Sequence, residues 1–196
     1  MHRNLTFLNS FSFISEDTFS KLAAISTFKK VNSGVQLAKE GEQPTKLYML
    51  LTGVVRAYLG DEKGKEYNKN FFMAPSFVGS YTALIKREPS KLVYETLTDC
   101  KVYEIDYSSF MKLCETDICV SNLYNRVLEH LFIKHESRHL DLISMDATQR
   151  YLKLNKEIPE LEVLVPQYQI AAYLSVTPVQ LSRIRKKLKE EEGISS

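Results

Sequence analysis

The sequence predicts an α+β protein: an N-terminal β-sandwich or jelly roll, then a long helix, then a C-terminal helix-turn-helix. From about Lys29 to Ile105, short apolar runs alternate with glycines at 34, 41, 53, 60, 64 and 79. That is the texture of many short strands joined by turns. From Ser108 onward glycine disappears until Gly193, and apolar residues recur at helical spacing. Near the C-terminus a basic helix with a strong start signal follows a sharp turn.

The elements follow in order. Ser15 stands at an N-cap position with Glu16 and Asp17 in the first turn, and Phe19, Leu22 and Ile25 recur every third residue. A short helix is predicted from Ser15 to Phe28. Leu47 to Leu51 reads as a strand closed by Thr52-Gly53, and Val54 to Leu59 as its successor. Gly60-Asp61-Glu62-Lys63-Gly64 forms a polar hairpin tip before a strand from Glu66 to Phe72. Ser108-Ser109 are placed to cap a short helix through Leu113. A long helix is predicted from about Asp117 to Ser144, roughly 40 Å at 1.5 Å per residue. Its first half carries Val120, Leu123, Tyr124, Val127, Leu128 and Leu131 as a broad apolar stripe. A stripe of that length needs a partner, so these six residues are the expected dimer interface; packing back onto the chain's own β-domain is the alternative. Asp146 starts a further helix through Arg150, Leu152 and Leu154, halted near Pro159. The predicted domains are 1–113 (β-sandwich), 114–145 (linker and dimerisation helix) and 146–196 (C-terminal helix-turn-helix).

Composition narrows the class. A hydrophobic share of 44% with 26% charged residues is ordinary for a soluble globular protein. The net charge is only +2, so any basic surface must be local. Cys100, Cys114 and Cys119 are an odd set with no CxxC pair, which fits a reducing compartment and excludes a four-cysteine cluster built from one chain. No window approaches the ~20 apolar residues of a membrane span, and residues 1–14 lack a signal-peptide pattern, so a cytoplasmic protein without membrane attachment is expected.

The strongest local signal lies between Pro166 and Leu188. Ile170, Leu174, Val176, Leu181 and Ile184 supply the shared apolar face of two helices, and Ala171 the small residue where they cross. Ser175 falls at the turn, where a left-handed conformation costs ~1–2 kcal/mol relative to glycine. Thr177 is the expected N-cap of the second helix, Pro178 its first residue, and Gln180 completes a capping box. The expected DNA-contacting set is Gln167, Thr177, Pro178, Val179, Gln180, Ser182, Arg183, Lys186 and Lys187. Arg183 is placed to read guanine, and the lysines, with Lys189, suit phosphates. A solvated basic helix end beside Glu190-Glu191-Glu192 is the plainer reading of the lysines alone.

Two enzyme classes compete. His135-Glu136-Ser137-Arg138-His139 spells H-E-x-x-H, the zinc-peptidase pattern. Lys134 and Arg138 put charge where that pattern disfavours it, and no third ligand follows at a recognised spacing, although Glu157 or Glu160 could be proposed. A metal-dependent jelly-roll enzyme fails because no histidine lies between His2 and His130. No metal, no cofactor and no catalytic residue is expected. A nucleotide or protein sensor that never touches DNA is the non-enzymatic rival.

Taken in order, Gly34 to Gly41, Leu47 to Arg56, Phe77-Val78-Gly79, Ala171 to Leu174 and Leu181 to Arg185 resemble the cyclic-AMP-receptor/FNR (Crp/Fnr) superfamily over nearly the whole chain. The resemblance implies a homodimer presenting two recognition helices to a near-palindromic duplex operator, with RNA polymerase a candidate partner. It implies an effector pocket inside the sandwich, coupled to DNA binding through the long helix. A β-wing after the recognition helix is expected to be missing or minimal. In cyclic-AMP-binding members the cassette glycine is followed by a ribose-binding Glu, and later by an Arg-Ser pair on the phosphate. Here Gly79 is followed by Ser80 and Tyr81, and the ungapped equivalents of Arg-Ser are Ser90 and Lys91. Cyclic AMP is therefore not the expected ligand, although backbone amides from Gly79 to Ala83 still offer an anion site. The same comparison places His135 and Glu136 over the pocket, completing the expected effector set, with the effector itself unknown.

Overall fold

The computed structural model describes residues 3–194. Helices α1 (Arg3–Asn9) and α2 (Glu16–Ala24) lead into strands β1 (Ser26–Val31), β2 (Gln36–Ala38), β3 (Lys46–Thr52), β4 (Val54–Gly60), β5 (Glu66–Met73) and β6 (Ser76–Val78). After helix α3 (Tyr81–Lys86) come β7 (Val93–Thr96) and β8 (Cys100–Asp106). Helices α4 (Tyr107–Thr116), α5 (Ile118–Ser144), α6 (Ala147–Glu157), α7 (Leu161–Leu164), α8 (Gln167–Leu174) and α9 (Pro178–Ile194) follow. Among the described residues no helix is long and apolar enough to cross a membrane.

The strands form two antiparallel sheets, ordered β1-β8-β3-β6 and β2-β7-β4-β5. The two-residue period of a strand sends alternate side chains of β3 to opposite faces. Tyr48 and Leu50 pack between the sheets with Val55, Ala57, Val78, Tyr94, Cys100 and Val102. Leu47 and Met49 join the other face, covered by α1, α2, α4 and α5. Gly53 joins β3 to β4 at φ +93°, and a Cβ there would lie 2.6 Å from the Asp99 carbonyl oxygen and the Cys100 Sγ. Only glycine fits.

Several boundaries differ from the sequence expectation, each for a local reason. The first helical segment, α1, is not foreshadowed by the scattered apolar pattern of the N-terminus; Leu5 and Leu8 become buried only against the sheet. Helix α2 stops at Ala24 because Ser26 to Val31 are drawn into pairing with β8. Asp106, not Ser108-Ser109, caps α4: its carboxylate accepts from the Ser109 amide at 3.0 Å and from the Ser108 hydroxyl at 2.6 Å. Those bonds hold the Asp106 carboxyl well below the usual range. The helix runs through the expected boundary at 113 and breaks at Asp117, whose side chain caps α5 through the Cys119 amide.

The expected dimer stripe also has a different destination. Val120, Leu123 and Val127 are 0%, 4% and 5% exposed within one chain, and Tyr124 and Leu131 pack against the same core. These residues cover the outer face of the first sheet, which leaves Val120, Leu123 and Val127 unavailable to a partner, the alternative that periodicity alone left open. Leu128 borders an outward groove with Asn125, Glu129, Phe132 and Ile133. The outward face continues through Leu140 and Ile143; Phe132, Ile133 and Ile143 are 67%, 63% and 71% exposed.

Candidate nucleic-acid interface and sensor cassette

The C-terminal helices are built from their caps inward. Asp146 starts α6 with a reciprocal capping box to Gln149. Ile170, Ala171, Leu174 and Leu181 are buried with Tyr151, Leu154, Leu161 and Val165, which fixes the crossing of α8 and α9. Ser175 takes φ 59°, ψ 38°, the left-handed turn conformation, and its amide closes α8 onto the Ala171 and Ala172 carbonyls. Replacing Ser175 with Gly removes that strain but frees the unfolded chain, so a net gain of about 0.5–1 kcal/mol is expected in urea denaturation. A loss of stability would show that the serine side chain holds the turn.

Thr177 and Gln180 form the predicted box: the Gln180 amide donates to the Thr177 hydroxyl at 3.2 Å, and the Thr177 amide to the Gln180 Oε1 at 2.8 Å. Gln167, Thr177, Pro178, Val179, Gln180, Ser182, Arg183, Lys186 and Lys187 are all exposed. Val179, Gln180, Arg183, Lys186 and Lys187 recur at three- and four-residue steps, so they share one side of α9. Lys186 and Lys187 meet Glu190 and Glu191 only at 3.8 and 3.7 Å, exposed pairs of small worth that phosphates can replace. Arg185, on the other side, pairs with Glu162 at 3.2 Å and ties α9 to α7.

The C-terminal helix pair is docked on the sandwich through a polar cluster that sequence reasoning missed. Arg56 on β4 is 4% exposed, and Gln169 on α8 is 2% exposed. The Arg56 guanidinium donates to Gln169 Oε1 at 2.6 Å, to Glu95 at 3.0 Å and to Glu66. Asn68 donates to Gln169 Oε1 at 2.6 Å and to its carbonyl at 2.8 Å. Burial opposes the charge on Arg56, but the hydrogen bonds it donates to Glu66 and Glu95 overcome it and hold its pKa above the ordinary value. The available signal was an arginine inside the apolar run Val54-Val55-Arg56-Ala57. Phe71 and Tyr173 meet at a tilt beside this cluster with ring centroids 5.1 Å apart. A cleft runs from the β4–β5 hairpin at Gly64 to Tyr67 to Thr177, Pro178 and Gln180, beside the first turn of α9.

The sensor cassette is closed on itself. Gly79 leads into α3 with Leu47 so close that a Cβ would meet its Cδ2 at 2.7 Å. Ser80 and Ser90, where the resemblance puts the ribose and phosphate contacts, are both buried with their hydroxyls 2.9 Å apart. Ser90 also donates to the Leu92 carbonyl at 2.7 Å. Tyr94 lies against Ser80, its phenol pushed up to about 12 by burial. Lys91 is exposed, and Tyr81 turns to the outer face of the first sheet rather than between the sheets. His135 and Glu136 are exposed on α5 and are not brought to Ser80 and Ser90; partial desolvation of the His135 ring, with the charges of Lys69 and Lys134, lowers its pKa.

The H-E-x-x-H stretch has a different occupation. Arg138 donates to the Tyr173 carbonyl and lies 3.9 Å over its ring, and Lys153 bonds Asp141 at 2.6 Å, so this part of α5 anchors α6 and α8. His135 and His139 are exposed. Among the described residues, no group of three or more His, Cys, Asp or Glu side chains is placed to hold a metal ion.

Residues 28–117 match the family model for the cyclic nucleotide-binding domain. The cAMP-activated global transcriptional regulator CRP of Salmonella typhimurium is 24% identical over 180 residues, covering 85% of this chain and 84% of that protein. Among solved structures, FixK2 of Bradyrhizobium japonicum aligns with a TM-score of 0.74 at 20% identity, over 86% of each chain. The c-di-GMP-responsive global regulator CLP of Xanthomonas campestris aligns at 0.72 and 17% identity, over 91% of this chain and 93% of its own. A sandwich that matches the cyclic nucleotide-binding domain, a long helix and a C-terminal helix pair thus resemble these proteins in order and over most of their length.

Proposed function

We propose that this protein is a dimeric, sequence-specific, DNA-binding transcription regulator without enzymatic activity, whose sensor cassette does not hold cyclic AMP. The observation that carries the reading is the exposed polar and basic side of α9, held rigid by its Thr177–Gln180 box and by the buried seam beneath it. A helix so anchored can enter a major groove N-terminus first, with Arg183 at base edges and the lysines on phosphates. The similarity to CRP, named as a transcriptional regulator, supports the same reading.

Loss of cyclic AMP binding follows from charge. Ser80 and Ser90 satisfy one another, and neither offers the carboxylate or the bidentate guanidinium that such a ligand needs. Dimerisation is assigned to the outward side of α5, where Leu128, Phe132 and Ile143 leave apolar surface uncovered in one chain. Two copies joined there carry two recognition helices on one stalk, the geometry that reads a near-palindrome.

Selection of bound duplexes from a random pool, without added ligand, tests the reading. A near-palindrome should be enriched, and its affinity should fall about a thousand-fold between 50 and 200 mM salt as phosphate contacts release counterions. Phe132→Asp should shift the protein to monomer in sedimentation and abolish that selection. A flat salt response would instead favour a sensor or scaffold that does not touch DNA.

A further inference from the structure

We propose that the space between the first sheet, the N-terminal helices and α5 is a binding site for a small neutral aromatic molecule, in the size range of phenol to indole, separate from the cyclic-nucleotide cassette. The cavity measures about 180 Å³. Protein interiors are packed too densely to leave many such spaces, and a dry apolar cavity of ~150 Å³ is large enough to take up benzene. Among the described residues its walls carry no Asp, Glu, Lys, Arg or His side chain. A cyclic nucleotide or any other anion would therefore meet no compensating charge, whereas a neutral ring gives up no charge hydration on entering.

The lining chemistry selects a ring with one polar atom. Phe19, Phe77 and Phe110 supply aromatic faces and edges, and Tyr81, Tyr103 and Tyr124 bring phenols to the wall. Phe110 and Tyr124 already meet edge to face at 5.4 Å, the arrangement that a third ring can extend. The Tyr124 hydroxyl is 3.1 Å from that of Tyr107, and burial raises the pKa of both Tyr81 and Tyr124, as expected where charge is disfavoured. Ala23, exposed on α2, stands at the rim.

The position gives an occupant leverage. Tyr81 belongs to α3 of the cassette, Leu47 and Met49 to β3, and Leu123 and Val127 to α5. A ring seated here touches both the sensor and the stalk that carries the DNA-reading helices. This coupling, unlike the binding itself, rests on the regulator reading above.

The full chain is titrated with phenol, indole and benzoate by ligand-observed NMR and by thermal unfolding. Phenol and indole should bind saturably and raise the Tm, and benzoate should bind at least ten-fold more weakly. Ala23→Phe, at an exposed position that leaves the fold intact, should block the rim and weaken indole binding at least ten-fold. Val127→Phe should do the same from inside, with circular dichroism confirming its fold. Absence of saturable binding at millimolar phenol and indole, equal binding of benzoate, or indifference to both substitutions would overturn the site. Saturable binding that leaves duplex affinity unchanged would overturn the coupling to DNA, while failure to select any duplex would count against the regulator and leave the site standing.

Discussion

Arg183→Ala is expected to lower affinity for the selected duplex about a hundred-fold or more, and to relax base preference at one position in each half-site. A bidentate guanidinium on guanine discriminates by about 1–3 kcal/mol, and a symmetric dimer makes that contact twice. Arg183 is exposed on the side of α9 that also carries Val179, Gln180, Lys186 and Lys187, so its removal creates no cavity and breaks no buried bond. Lys186→Ala supplies the contrast. It should weaken all duplexes by a similar factor and reduce the salt slope by about 2 per dimer, one per protomer, because a phosphate contact carries no sequence information. Binding measured on the selected duplex and on one altered base pair, across a salt series, separates the two. Equal loss on both duplexes for Arg183→Ala would remove that residue from base reading.

What was legible in the sequence is what local chemistry decides. The caps read at Ser15 and Thr177 depend on a side chain meeting an amide three residues on, and both bonds are present; the helices expected to start near Asp117 and Asp146 do so on those side chains. The left-handed Ser175 is equally local. The hairpin at Gly60 to Gly64 forms where glycine and aspartate predict it, with Asp61 accepting from the Lys63 and Lys65 amides. Destinations were harder. Helical spacing shows that Val120, Leu123 and Val127 share a face, but not that α1, α2 and the first sheet already cover it. The alternation of β3 likewise does not say which face meets which layer. In the cassette, replacement of the acidic and guanidinium groups was visible, but the Ser80–Ser90 contact arises only when the chain doubles back after α3. The Arg56 cluster is the extreme case, since Arg56 and Gln169 lie 113 positions apart.

That cluster carries the largest expected stability effect. Arg56→Ala should destabilise the protein by about 3 kcal/mol, because removing one member of a buried ion pair leaves its partners desolvated and uncompensated. The low end of the usual range applies: the Glu66 and Glu95 side chains remain 36% and 19% exposed, so water relieves part of the penalty. Gln169→Leu should cost less, about 1–3 kcal/mol, since it removes an acceptor from Arg56 and Asn68 without stranding a charge. The two losses should not add, because both substitutions break the same hydrogen bond. Gln169→Leu should also split urea unfolding into two transitions, one for the sandwich and one for the C-terminal helices, as the polar link between them is cut. Fluorescence and circular dichroism followed together in urea would record this. Additive losses, or one unchanged cooperative transition in Gln169→Leu, would show that Phe71 against Tyr173 and Arg138 over the Tyr173 ring hold the two parts together without the buried arginine.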